Sequence, residues 1–193
     1  MTKGRKAVVA CEVFESELRA VMPVHSDVHL VLVPAALHTD MARLEGEIER
    51  ALSACRSDGF EELFVIYGGK CCLALDSVLA CYGAVRLCAD NCLDILTGPL
   101  KAATEAEGSI VFTPGWIRAW PFISDALGWD AVETRLNLGR YSAAVVYDAG
   151  VDPLTDEDIL WFFELTGLYV DVRPLDLGHF RKAVRGLLGL KDA

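Results

Sequence analysis

The stretch KAVVACEVFESELRAVM, residues Lys6 to Met22, sets the reading of the fold. Lys6–Cys11 is an apolar run without alternation, as in a strand buried on both faces, and the amphipathic segment Glu15–Met22 follows it directly. The same succession repeats along the chain. Val28–Pro34 (VHLVLVP) reads as a second strand, and Asp40–Cys55 as a charged helix with apolar positions at Met41, Leu44, Ile48 and Leu52. Glu62–Tyr67 is a third strand before a helix over Leu73–Cys81, and Ala84–Leu87 a short fourth before a helix over Cys92–Ala106. Ser109–Thr113 and Ala143–Asp148 add a fifth and a sixth. The helix Asp156–Thr166, opened by a capping signal at Thr155 and Asp158, precedes a last strand over Leu168–Val172 and a helix from Gly178. Strands separated by helices of this length are βαβ units. The fold class is therefore α/β, a mostly parallel, Rossmann-like sheet sandwiched between helices. A strand, a Cys and a helix occur in order at Cys11 and again at Cys71, an echo that suggests two similar halves. Residues 1–193 read as one domain, with 116–140 as a helical segment covering one end of the sheet.

Composition narrows the function classes. Of 193 residues, 53% are hydrophobic, too many for a disordered chain. The net charge of −10, from 28 acidic and 18 basic residues, argues against nucleic acid, since a phosphate-tracking groove needs a basic patch. The basic clusters are confined to Lys3–Lys6 and Arg181–Lys191. No run reaches the length of a membrane span and no leader pattern opens the chain, so the expectation is a soluble, cytoplasmic protein without a membrane partner. A homo-oligomer is compatible with all of this.

Seven cysteines stand out: Cys11, Cys55, Cys71, Cys72, Cys81, Cys88 and Cys92. An odd count without a secretory signal points away from a disulfide scaffold, toward small buried hydrophobes or toward metal ligands. In an open parallel sheet ligands bind beyond the carboxyl ends of the strands, and four soft-ligand residues are expected there. Cys11 ends the first strand, His38 follows the second, Cys71 and Cys72 follow the third, and Cys92 follows the fourth. Cys11, His38, Cys71 and Cys92 together would suit zinc first, or an iron–sulfur cluster. No CxxC pair supports the set, and the sequence does not decide between Cys71 and Cys72. Cys55 and Cys81 read as core.

Weaker signals complete the picture. Gly68-Gly69-Lys70 after a strand hints at an anion-holding turn but lacks the rest of the GxxxxGK[ST] pattern. Thr113-Pro114-Gly115-Trp116 reads as a turn, with Trp116 and Trp120 placed to roof a pocket over the metal. Asp90 and Asp148 are the candidate catalytic or orienting carboxylates. His25 and His29 read as surface or packing residues, and His179 as a cap of the last helix. No GxSxG, HExxH or EF-hand pattern is present.

The motifs CEVFESEL, VPAALH, YGGKC, DNCLDILTG and SIVFTPGW together resemble the bacterial and archaeal "domain of unknown function 1638" family, from Val8 to about Gly167. The resemblance places family positions at Cys11, His38, Tyr67, Gly68, Cys71, Cys92, Gly98 and Thr113 to Trp116. Family members often carry His-Asp-Cys where this chain has Asp90-Asn91-Cys92, which leaves that His without a counterpart here. The resemblance implies an association with corrinoid-dependent methyl transfer, and hence a small-molecule substrate or a corrinoid protein as partner. It implies no established activity. On these grounds the expected function is a metalloprotein that activates a thiol or water for methyl transfer or demethylation. The alternative is an accessory module holding an iron–sulfur cluster, a corrinoid or a metal for a partner.

Overall fold

The computed structural model describes residues 4–22 and 28–190; His25 lies outside them. Within these residues the chain is α/β with parallel strands only. The first sheet contains β1 (Lys6–Cys11), β2 (Val28–Val33), β3 (Glu62–Ile66) and β4 (Val85–Arg86), in the order β2-β1-β3-β4. All six residues of β1 are buried, as a central strand covered on both faces requires. The strands are in register, Lys6 beside Val28 and Glu62, Cys11 beside Val33, so their carboxyl ends finish at one edge. Helices α1 (Glu15–Val21), α2 (Met41–Ser57) and α3 (Leu75–Tyr82) cover this sheet. In α2 the buried side chains are Leu44, Ile48, Leu52 and Cys55, the stripe a period of 3.6 produces.

The strands divide into two sheets rather than one. After β4 the chain runs through α4 (Cys92–Thr97) and α5 (Leu100–Ala106), where a single helix over 92–106 was expected. The break falls at Gly98-Pro99. Gly98 has φ +57°, and proline offers no N–H to continue the ladder. The second sheet follows as β5 (Ile110–Phe112), β6 (Ala143–Asp148) and β7 (Tyr169–Pro174), in that order and parallel. The segment expected as helical cover forms α6 (Pro114–Leu127) and α7 (Ala131–Leu138), the latter opened by a capping box at Asp130 and Glu133. Helices α8 (Asp156–Thr166) and α9 (Gly178–Leu187) complete the order.

Alternation along the second sheet links two cores. Val111, Val145 and Tyr147 face the large core that also takes β1, β3 and the α9 residues Phe180 and Val184. Phe112, Ala144 and Val146 face a smaller core with Trp120, Leu138 and Phe162. Trp116 packs against both. Among the described residues no helix is long and apolar enough to cross a membrane.

Candidate metal centre

The in-register first sheet delivers the loops after β1, β2, β3 and β4 to one edge, and the site is built from those loops. After β2 a short 3₁₀ turn, Ala35–Thr39, carries His38. This turn is tied back to the β1 loop, since the Ala35 N–H donates to Glu12 Oε1 at 2.7 Å. The His38 Nδ1–H donates to the Ala35 carbonyl at 2.9 Å, which leaves Nε2 free to face the thiols. The ring is held between Tyr67, stacked at 5.9 Å, and the edge-on Trp116 at 5.4 Å.

After β3 the loop carrying Cys71 is stitched to the loop carrying Cys92. Gly69 N–H donates to the Ala89 carbonyl (2.9 Å), Lys70 N–H to Asp90 (2.7 Å), and Cys71 N–H to Gly68 (3.0 Å). A Cβ on Gly68 would lie 2.1 Å from Asn91 Cα, so only glycine lets the loops approach this closely. Asn91 then caps α4 through a capping box with Asp94, which places Cys92 at its first position. A second close approach brings in the cover. A Cβ on Gly115 would lie 2.2 Å from the Val13 carbonyl, so the Thr-Pro-Gly-Trp segment lets α6 press onto the β1 loop and seat Trp116 against His38.

The outcome is a cluster of His38, Cys71 and Cys92 whose ligand atoms all lie within 4.8 Å of one another. Cys71 Sγ and Cys92 Sγ are 3.4 Å apart, and Cys92 Sγ is 4.0 Å from His38 Nε2. The electrostatics favour anionic sulfur. The Cys92 thiol hydrogen bond, with the His38 imidazole beyond it, pulls Cys71 down to about 4 against the effect of burial. Burial would lower His38, but its hydrogen bond to Cys71 and the charges of Cys11 and Cys71 outweigh it and raise the imidazole to about 9. Cys92 is pushed up by the neighbouring Cys11 and Cys71 thiols and by burial. Two soft thiols and an imidazole, once Nε2 has given up its proton, make a donor set suited to a soft cation.

Cys11 stands behind this cluster. It is fully buried beside the Cys92 thiol, but it is not among the three residues whose ligand atoms converge. In front lies a cavity of about 260 Å³, lined by His38, Cys71 and Cys92 with Met41, Leu93 and Trp116 as its apolar walls. Lys70 and Lys101 also line it. Lys70 is paired with Asp90 at 2.7 Å, and Lys101 with Asp94 (3.3 Å) and Glu105 (3.0 Å).

The remaining expected residues are placed elsewhere. Cys72 is buried in the large core, so Cys71 is the one of the pair that faces the site. Cys55 is core, whereas Cys81 is exposed: its position in α3 lies off the stripe of Leu75, Val78 and Leu79 that meets the sheet. Cys88 is exposed too. Gly68 and Gly69 do not form an anion cradle, because the amides of Gly69 and Lys70 are spent on the carbonyls of Ala89 and Asp90. Trp120 is turned into the smaller core against Phe112 and Phe162, away from the cavity that Trp116 lines. Asp90 is exposed and ion-paired to Lys70. Asp148 accepts from the Gly150 and Leu154 N–H groups, closing the turn after β6. His29 stacks on Phe60, and the His179 ring packs on Gly98 without capping α9. Glu12, Leu93 and Lys101 carry no signal in the sequence, and Met41 reads there only as an apolar helix position, because no local motif marks a residue that meets the site only through the folded loops.

A family model described as "Protein of unknown function (DUF1638)" matches residues 32–184. The chain belongs to the domain of unknown function 1638 family. His38, Cys71, Cys92 and Trp116 fall within the matched span, and β1 with Cys11 precedes it. No curated protein and no solved structure matches the chain.

Proposed function

We propose that this member of the family is a metalloprotein holding one soft ion, zinc first, on His38 Nε2, Cys71 Sγ and Cys92 Sγ, with an exchangeable position toward the cavity. The observation that carries the reading is the convergence of those three ligand atoms within 4.8 Å beside a cavity of about 260 Å³. Three protein ligands and an open position are the arrangement of catalytic rather than structural zinc. Bound there, the ion would supply Lewis acidity, lowering the pKa of a thiol or water at neutral pH. The protein's own residues do the rest. The Ala35 carbonyl holds the His38 tautomer, while Met41, Leu93 and Trp116 give the open cavity its apolar walls. Lys101, balanced by two carboxylates, keeps charge at the wall without leaving it unpaired. A thiol or methyl-bearing small molecule fits that cavity, and methyl transfer or demethylation beside a corrinoid-dependent system is the reaction class proposed.

One observation favours a second reading. The Cys11 thiol interacts with that of Cys92. Moving onto the ion as a fourth ligand, it would close the site, as expected of an accessory module that carries a metal, a cluster or a corrinoid to a partner.

Elemental analysis of anaerobically purified protein tests the proposal. Near-stoichiometric metal, lost in His38→Ala, Cys71→Ala and Cys92→Ala but kept in Cys11→Ala, is the result expected of an open site. Loss in Cys11→Ala as well would favour the closed one. Metal-free wild type would overturn both, and a brown or pink protein would replace zinc with a cluster or a corrinoid.

A further inference from the structure

We infer that β7 is a dimerisation edge, pairing antiparallel with β7 of a second copy of this chain about a two-fold axis at Val172. Among the described residues β7 is hydrogen-bonded to β6 alone, which leaves its other edge open there. The Leu175 N–H donates to Asp148, which directs the odd-numbered residues of β7 toward β6 and the amides of Val170 and Val172 outward. Pro174, the next outward position, has no N–H to leave unpaired, the usual place for proline in an edge strand.

Beside that edge lies a groove between α8 and β7, lined by Ile159, Leu160, Phe163, Tyr169 and Val170 with Asp156 as its one charged residue. Leu160 is 56% exposed, Phe163 47%, Tyr169 68% and Val172 40%. Those four side chains bare on the order of 400 Å² per protomer, a patch of the size that marks an interaction site. Two such patches and two strand edges together approach the smallest stable interfaces, about 1,200 Å² in total. A two-fold axis normal to the sheet would also set α8 of both copies on the same face, so each groove meets the other.

Charge selects the occupant and the register. Outward residues must face outward residues, so the pairing is centred on Val172 or on Asp171. Centred on Asp171, two carboxylates would stand opposite each other. Centred on Val172, each Asp171 stands opposite Arg173 of the other copy. Within one chain these two already pair at 2.8 Å, so two copies form an alternating square of two carboxylates and two guanidiniums. The strand is thus complementary to itself in one register, which identifies a second copy as the partner.

Sedimentation velocity of the full chain from about 1 to 100 μM, with amide exchange read by NMR at both ends of that range, tests this. The expected result is a concentration-dependent dimer in which the Val170 and Val172 amides are protected only at high concentration. Asp171→Arg, whose effect is doubled by symmetry, should weaken the dimer about tenfold in Kd, and Asp171→Arg with Arg173→Asp should restore it. Phe163→Glu, at an exposed position, should leave a folded monomer. A monomer at 100 μM, a dimer indifferent to these variants, or a charge swap that fails to restore association would overturn the assignment. The exchange measurement needs no variant and stands even if one of them misfolds.

Discussion

Gly68→Ala is the sharpest perturbation of the site, because the glycine supplies no ligand atom yet holds two ligands together. A Cβ there would lie 2.1 Å from Asn91 Cα and 2.5 Å from Asn91 N and C, all backbone atoms that cannot rotate away. Carbon atoms rest at about 3.5–4.0 Å, so the Cys71 loop must withdraw from the Cys92 loop by about 1.5 Å. Transmitted to the thiols, that opens the 3.4 Å separation of Cys71 Sγ and Cys92 Sγ to about 5 Å. Two sulfurs each about 2.3 Å from one zinc can be at most about 4.6 Å apart, and about 3.8 Å in a tetrahedron. The alanine variant should therefore lose bidentate chelation along with about 3 kcal/mol of stability, the upper part of the range for overpacking a tight contact. Urea unfolding of metal-free protein, followed by tryptophan fluorescence, reads the second quantity; elemental analysis after metal loading reads the first. An alanine variant within about 0.5 kcal/mol of wild type, below the overpacking range, would refute the close loop approach. Full metal content despite the stability loss would refute its transmission to the ligands.

Other expectations are independent of that clamp. Gly46→Ala, inside α2 with nothing within 4 Å of the new methyl, should stabilise the protein by about 0.5–1 kcal/mol; a destabilisation in the same urea titration would contradict the open space there. Trp120→Ala should cost about 3–5 kcal/mol through the smaller core, yet leave metal stoichiometry unchanged in the folded fraction, in contrast to a residue of the cavity wall. Glu17 carries a pH dependence. Burial, reinforced by the charges of Asp148 and Asp152, pushes its carboxyl up to about 7 from 4.5. Between those values the unfolded chain releases a proton that the folded chain keeps, so this group makes stability fall as pH rises from 4.5 to 7 and is flat above. The drop is on the order of 3 kcal/mol. Glu17→Gln should remove that slope, and an unchanged slope across pH 5–7 would locate its origin elsewhere.

Much of the architecture was legible because its determinants are local. KAVVAC and AAVVYD are strands over the same residues the apolar runs mark, and Asp156–Thr166 begins at the capping box its sequence announces. The carboxyl-edge placement of His38, Cys71 and Cys92 follows from parallel βαβ units, since successive parallel strands must all end at one side. Those are short-range patterns acting through a simple topological rule.

What remained open depends on contacts between loops distant in sequence. Cys71 rather than Cys72 faces the cavity because the 68–71 loop is pinned to residues 89–91, some twenty positions away. The same bonds consume the Gly-Gly-Lys amides that would otherwise suggest an anion site. Trp116 and Trp120 stand four residues apart and share a helix face, but about 6 Å of rise separates them, and Trp116 meets both cores while Trp120 is buried in the smaller one. Division of the strands into two sheets, and the stand-off of Cys11 from the three converging ligand atoms, are likewise decided by packing. Side-chain periodicity records which face of an element is buried; it does not record which other element will bury it.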